Sequence, residues 1–220
     1  TPRAPRGAYQ GDSLILANYR LDLLPTPGAP LWDRHGATLL AAHPLGGLTP
    51  DTAASRVGAH TDALSRAGAA GLDVLLVRWP VARAARDEWG LEALRSLVLA
   101  ATSLSHTGRD VPLLAPRLDL SAGPGLQADL DLTQQAQSEL VYGALFDFCQ
   151  LVPPQFRAQL TDGPRGVVLV DLGDAPDPVR LSPDFLRYLE QRCLGDFGLD
   201  ILWLGSALWA RRGLPLDAVR

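Results

Sequence analysis

Gly166-Val167-Val168-Leu169-Val170-Asp171 is the run on which the fold turns. Consecutive aliphatic residues between a glycine and an aspartate read as a short strand with both faces buried, as in parallel sheets. On its amino side, Thr133 to Leu151 carries Leu140, Ala144 and Phe148 at helical spacing, and Pro153-Pro154 closes that helix. On its carboxyl side, Asp177 to Gly195 contains a helix with the stripe Phe185, Leu186 and Leu189, followed by a second buried run, Leu199 to Gly205. Strand and helix therefore alternate on both sides of the starting point.

The same unit repeats toward the amino terminus. Val111 to Leu118 is a strand, with Pro112 near its start, where a missing N–H is tolerated. Glu88 to His106 is helical, with Leu91, Leu94, Val98 and Ala101 in phase and Gly108 just beyond. Asp73 to Trp79 is a strand stopped by Pro80, and Thr52 to Ala67 is a helix with Asp51 as its N-cap. Leu14 to Tyr19 is the first strand, and a long loop bearing Pro25, Pro27, Pro30, His35 and His43 separates it from that helix. Loops of this length inside a compact domain are often functional. Residues 1–12 read as a tail or docking arm and 13–220 as one α/β domain. Five strands alternating with four helical segments imply parallel βαβ units with right-handed crossovers. Either an open doubly wound sheet or a partial (β/α)8, TIM-type barrel satisfies that pattern.

Composition narrows the function. A 47% hydrophobic share with 20% charged residues supports a sizeable core and argues against disorder. The formal charge of −4 argues against a nucleic-acid footprint, and no apolar run is long enough to form a transmembrane segment. Every basic residue is Arg, so the chain holds neither a P-loop lysine nor a Schiff-base lysine, and no G-x-G-x-x-G follows the first strand. No cofactor is expected, and the histidines and cysteines lack metal-ligand spacing. Cys149 and Cys193 read as two buried thiols, with a disulfide as the alternative if the protein is exported. The chain opens on Thr1 rather than Met, which implies a processed or cut amino terminus.

Four stretches resemble the glycoside hydrolase family 71/99-like domain, a (β/α)8 barrel of endo-mannosidases and α-glucanases. Ala17-Asn18-Tyr19 is similar to its opening strand, with an aromatic at the carboxyl end. His43-Pro44-Leu45-Gly46 looks like its H-P-x-x-G loop, and Ala70 to Trp79 resembles its A-G-I-D-G-F-V-V-S-W signature. Gly163 to Val170 resembles a later strand with two positions exchanged. The likeness spans roughly residues 13–206, and the second-strand signature is its most specific part. It implies a catalytic pair of glutamates on late strands. The four glutamates here, Glu88, Glu92, Glu139 and Glu190, all fall in helical segments, and the chain stops near the fifth strand. A complete barrel takes about 250 residues.

Ligands of α/β folds contact the loops after the carboxyl ends of the strands. That rule selects Tyr19, Arg20, Arg78, Trp79, Asp119, Asp171, Asp174 and Ser206, and the resemblance adds His43. Tyr19, His43, Arg78 and Trp79 are the expected ligand-binding set, converging on one concave face. An aromatic platform serves the C–H face of a sugar, and charged groups serve its hydroxyls. The plain alternative has Trp79 plugging the barrel mouth and Arg78 paired with an aspartate. Asp119 and Asp171 end the third and fourth strands and are the catalytic candidates, since glycosidases oppose two carboxyl groups. Pairing with Arg78 or Arg117 is their other reading, while Asp129 and Asp131 read as loop and N-cap residues.

Two functions follow. One is a non-catalytic, glycoside-hydrolase-like module serving as a structural or accessory subunit, its open sheet edge after residue 204 covered by a protein partner or another copy. The other is a carbohydrate-active enzyme whose catalytic half lies outside this chain. Both take a polysaccharide as ligand and place the protein outside the cell or in its envelope, with the cytoplasm as the alternative.

Overall fold

A computed structural model describes residues 14–21, 53–82, 86–120, 130–159, 166–174, 179–180, 182 and 184–219. The first strand, β1 (Leu16–Arg20), is followed by α1 (Ala53–Ala69), β2 (Val74–Pro80), a π-turn at Arg86–Gly90 and α2 (Leu91–His106). Next come β3 (Leu113–Asp119), the two-residue β4 (Leu130–Asp131), α3 (Gln135–Leu151) and β5 (Gly166–Asp171). The chain continues through β6 (Val179–Arg180), α4 (Phe185–Phe197), β7 (Leu199–Gly205), α5 (Ala207–Arg211) and β8 (Ala218–Val219). Six of these strands form one parallel sheet in the order β1-β2-β3-β5-β7-β8, and β4 pairs with β6 beside it. The sheet curls into a half-barrel.

Strand parity settles the choice between an open sheet and a barrel. Tyr19, Leu75, Val77, Trp79, Leu114, Leu118, Val168, Val170, Ile201 and Trp203 share one core with residues of α1 to α5. The alternate positions, Val74, Leu76, Leu113, Ala115, Leu169 and Leu204, form a second, smaller core that contains no helical residue. Among the described residues, helices thus cover one face only, as in a barrel wall; a doubly wound sheet has them on both.

The helix-side core is held by polar as well as apolar contacts. Trp79 is fully buried, its indole N–H donates to the Ala144 carbonyl of α3 at 2.7 Å, and its ring meets Phe148 edge-on at 6.1 Å. Burying an indole with its N–H satisfied keeps the full hydrophobic gain without a desolvation cost. Arg86 is 4% exposed and ties the π-turn to its surroundings. Its Nε donates to Asp147 of α3 at 2.9 Å, and Nη1 donates to the carbonyl of Val81. At the end of α4, Gly198 takes φ +68°, and its N–H bonds the Leu194 carbonyl, so the chain turns directly into β7. Cys149 and Cys193 are free and buried; burial pushes their thiols up to about 11 and about 12, so neither carries thiolate character.

The sheet is divided along the β3–β5 seam. Arg157 to Gln159 inserts at the amino-terminal half, where Ala158 N–H bonds the Leu114 carbonyl and the Ala158 carbonyl accepts from Leu169. β3 and β5 come into register only at Arg117 and Asp171, next to the carboxyl-terminal mouth.

The expected five strands and their sequential order are all present. One expectation is corrected: the edge of β7 is not bare after residue 204. β8 pairs with it at Leu204 and Gly205, and Asp217 adds a carboxylate bond to the Trp203 N–H at 2.7 Å. A strand of two residues has no periodicity to read, which is why the sequence did not announce it. The tail at 1–12, Asp51, Asp129 and the loop with His35 and His43 lie outside the described residues.

Candidate functional site

The carboxyl ends of β1, β2, β3 and β5 surround a cleft of about 530 Å³ on the concave face. Register builds it. Arg20 is paired with Arg78, Arg78 with Arg117, and Arg117 with Asp171, so three guanidinium side chains and one carboxylate share a row across four neighbouring strands. Neighbouring strands lie about 4.8 Å apart, so like charges this close repel unless counter-charges intervene.

Three aspartates supply them. Asp119 lies two residues beyond Arg117 on β3, and its Oδ2 accepts from Arg78 Nε at 2.9 Å and stands 2.7 Å from Nη2. Asp174 Oδ2 accepts from Arg117 Nη2 at 2.7 Å, and Asn18 Oδ1 accepts from Nη1 at 2.5 Å. Asp171 is fully buried: its Oδ1 accepts from the Gly173 N–H at 2.8 Å, while Oδ2 sits 3.7 Å from Arg117 Nε. Gly173 makes the turn that brings Asp174 over Arg117. Its φ is +68°, and a Cβ there would stand 2.3 Å from the Leu118 carbonyl oxygen. Below the turn, the buried Trp209 donates its indole N–H to the Gly173 carbonyl at 3.2 Å.

The expected site residues divide between the two faces of the sheet. Arg78 and Asp119 reach the cleft and pair with each other; Asp171 lies buried at its edge, near Arg117. Trp79 does not join them: it faces α3 on the helix side, fully buried in the core. Tyr19 borders the cleft, yet its ring packs in the helix-side core and its hydroxyl meets His60 Nδ1 of α1 at 2.6 Å. Strand-end position chose these aromatics, and the alternation of strand side chains sends them the other way. The convergence of Tyr19 and Trp79 with His43 on the concave face is therefore not what forms there: both rings are core, and His43 lies outside the described residues.

The His60–Tyr19 pair sits in the same core. His60 is 1% exposed; burial, with the nearby Arg56 guanidinium adding repulsion, lowers its pKa to about 4. Burial likewise raises Tyr19 far above the phenol range, against the pull of Arg66. Both groups are neutral near pH 7.

Residues of the cleft that the sequence rule missed are Asn18 and Arg117, while Arg20 and Asp174, which it selected, do line the cleft. The signal for the missed pair was present: each shares strand parity with Arg78 or Asp171, and the register follows from stacking the five strands in order. Asp131, read as an N-cap, is instead the last residue of β4, and the N-cap of α3 is Gln134; the Asp131 carboxylate ties the turn between the two. Its Oδ1 accepts from the Thr133 N–H at 3.1 Å and its Oδ2 from Gln134 at 3.1 Å, which with the Thr133 hydroxyl holds its carboxyl below the usual range. Among the described residues, no group of three or more His, Cys, Asp and Glu side chains is arranged to hold a metal ion, and no helix is long and apolar enough to cross a membrane. Comparison with protein families, with curated proteins and with solved structures finds no match to this chain.

Proposed function

We propose that this chain is a non-catalytic, glycoside-hydrolase-like half-barrel that holds polysaccharide in its concave cleft and works as an accessory subunit of a larger, exported assembly. What supports the reading is the fate of the cleft carboxylates. Glycoside hydrolysis needs one carboxyl group to hand a proton to the leaving oxygen and a second across the scissile bond. Here Asp119 and Asp174 each accept from an arginine, and Asp171 accepts a backbone N–H beneath the surface. The glutamates are engaged elsewhere: Glu92 pairs with Arg56 at 3.2 Å, Glu139 accepts from Gln135 and Glu190 from the Trp203 indole. Glu88 belongs to the π-turn before α2.

The need for a neighbour comes from the sheet edges. Among the described residues no strand pairs with the outer edge of β1, and β8 protects only the last two residues of β7. Ile15 and Val219, beside these two edges, are each 53% exposed. Unpaired edges invite another strand, and a partner or second copy completes the wall.

The second reading, a carbohydrate-active enzyme with its catalytic half in another piece, draws on the position of the cleft at the carboxyl mouth, where barrel enzymes work. Two measurements test the accessory reading. Size-exclusion with light scattering is expected to show association, and assays on α-mannan and α-glucan are expected to show no turnover. A monomer that cleaves either polymer, and loses that activity as Asp119→Asn or Asp171→Asn, would overturn the accessory reading in favour of the enzyme.

A further inference from the structure

The sheet is not tied equally along its width. β1 runs in register with β2 from Leu16 to Arg20, β2 with β3 from Val74 to Pro80, and β5 with β7 from Gly166 to Asp171. β3 meets β5 only at Arg117 and Asp171. Toward the base, Ala158 stands between the two strands, its N–H on the Leu114 carbonyl and its carbonyl on the Leu169 N–H. The seam therefore lacks the continuous ladder that joins its neighbours.

At the mouth, side chains close it. Arg117 on β3 donates Nη2 to Asp174, just beyond β5, at 2.7 Å and directs Nε toward the buried Asp171 at 3.7 Å. Its Nη1 donates to Asn18 of β1 at 2.5 Å. One planar guanidinium thus spans the line, its fixed fork setting all three directions. The Arg117 side chain is only 18% exposed, so these bonds are screened less than a surface pair. On the helix-covered face the two halves stay joined. Tyr142 of α3 donates its hydroxyl to Asp196 of α4, and the Phe146 and Phe197 rings meet at 5.3 Å.

From this arrangement we infer that the β3–β5 seam opens locally on the concave face, pivoting on the α3–α4 contact, and that Arg117 is the latch holding it shut at the mouth. A fold opens first where few backbone bonds resist, at a free energy below that of global unfolding. Opening here costs one register pair and the two bonds of Ala158, whereas parting β1 from β2, β2 from β3 or β5 from β7 breaks a whole ladder. The cleft lies over this line. Asn18, Arg78 and Asp119 stand on one bank, Gly173 and Asp174 on the other, so opening widens it.

The test is native-state hydrogen exchange of the whole chain, read residue by residue by NMR. The Ala158 and Leu169 amides, bonded across the seam, are expected to be at least about tenfold less protected than the Leu76 and Val77 amides of β2. Arg117→Gln should lower seam protection by about a further tenfold and leave β2 unchanged. Asp174→Asn, at a carboxylate 73% exposed, should act in the same direction by a few-fold, and it replaces Arg117→Gln if that variant does not fold. Seam amides as well protected as β2 would overturn the inference. So would a loss in the variants that is equal at the seam and in β2, since Arg117 would then support the whole fold, or seam protection that neither variant lowers.

Discussion

Tyr19 and Arg20 are adjacent on β1, as Arg78 and Trp79 are on β2, yet each pair is divided between two environments. The aromatic members are 8% and 0% exposed on the helix side, with their polar atoms bonded to His60 and to the Ala144 carbonyl. The arginines face the concave side and take part in an ion-pair row open to water. One face of the sheet is a tightly satisfied core, and the other changes along the strands from aliphatic at the base to charged at the mouth. The first face is the packed core, and the second carries the exposed ion pairs. Substitutions one residue apart should therefore have quite different consequences.

The largest effect expected is on the helix side. Trp79→Ala removes a fully buried indole, its bond to Ala144 and its edge contact with Phe148, and should cost about 3–5 kcal/mol in urea unfolding. A loss below about 1 kcal/mol would mean that Trp79 is not the core residue described.

Acid should expose the same face through His60. Its proton is disfavoured in the fold, with a pKa lowered to about 4 from 6.5, so the unfolded chain binds the proton first as pH falls. Its stabilising contribution is whole above about pH 6.5 and is lost as pH falls toward 4, amounting to about 3 kcal/mol. Arg56 and Tyr19 face the ring, and neither titrates in that window. Unfolding followed between pH 4 and 7 should show this slope, and His60→Gln should flatten it.

At the mouth, Gly173→Ala combines a left-handed φ with a Cβ that collides with the Leu118 carbonyl, and should cost about 2 kcal/mol. It should also displace Asp174 from Arg117, so weaker ligand binding should accompany the lost stability. The smallest effect is expected on the concave rim. Arg78→Gln breaks a half-exposed ion pair and should change stability by less than about 1 kcal/mol. A larger loss would make the arginine row a structural cement and erase the contrast between the two faces.

Much of this architecture was legible in the chain. The aliphatic runs at 74–77, 113–115, 167–170 and 199–204 are strands, and the intervening apolar stripes are helices, because buried parallel strands and amphipathic helices carry different periods. The cleft was legible only in part. Arg20, Arg78, Asp119 and Asp174, selected from their places at strand ends, line the cleft, whereas Asp171, Tyr19 and Trp79 were drawn in by the same rule and are buried. The short β8 and the inserted Arg157–Gln159 segment left no pattern to read.

The sequence by itself determined the order of elements, the parallel sense of the sheet and the chemistry available at its carboxyl end. These depend on local periodicity and on connections between neighbours. Only the tertiary structure decided which face the helices cover, since both faces of the central strands are apolar and periodicity is silent there. It also decided that Arg20, Arg78 and Arg117 stand in one row. Residues 41 and 99 positions apart, such as Arg78 and Asp119 or Asn18 and Arg117, meet through strand register, which is a long-range quantity set by packing.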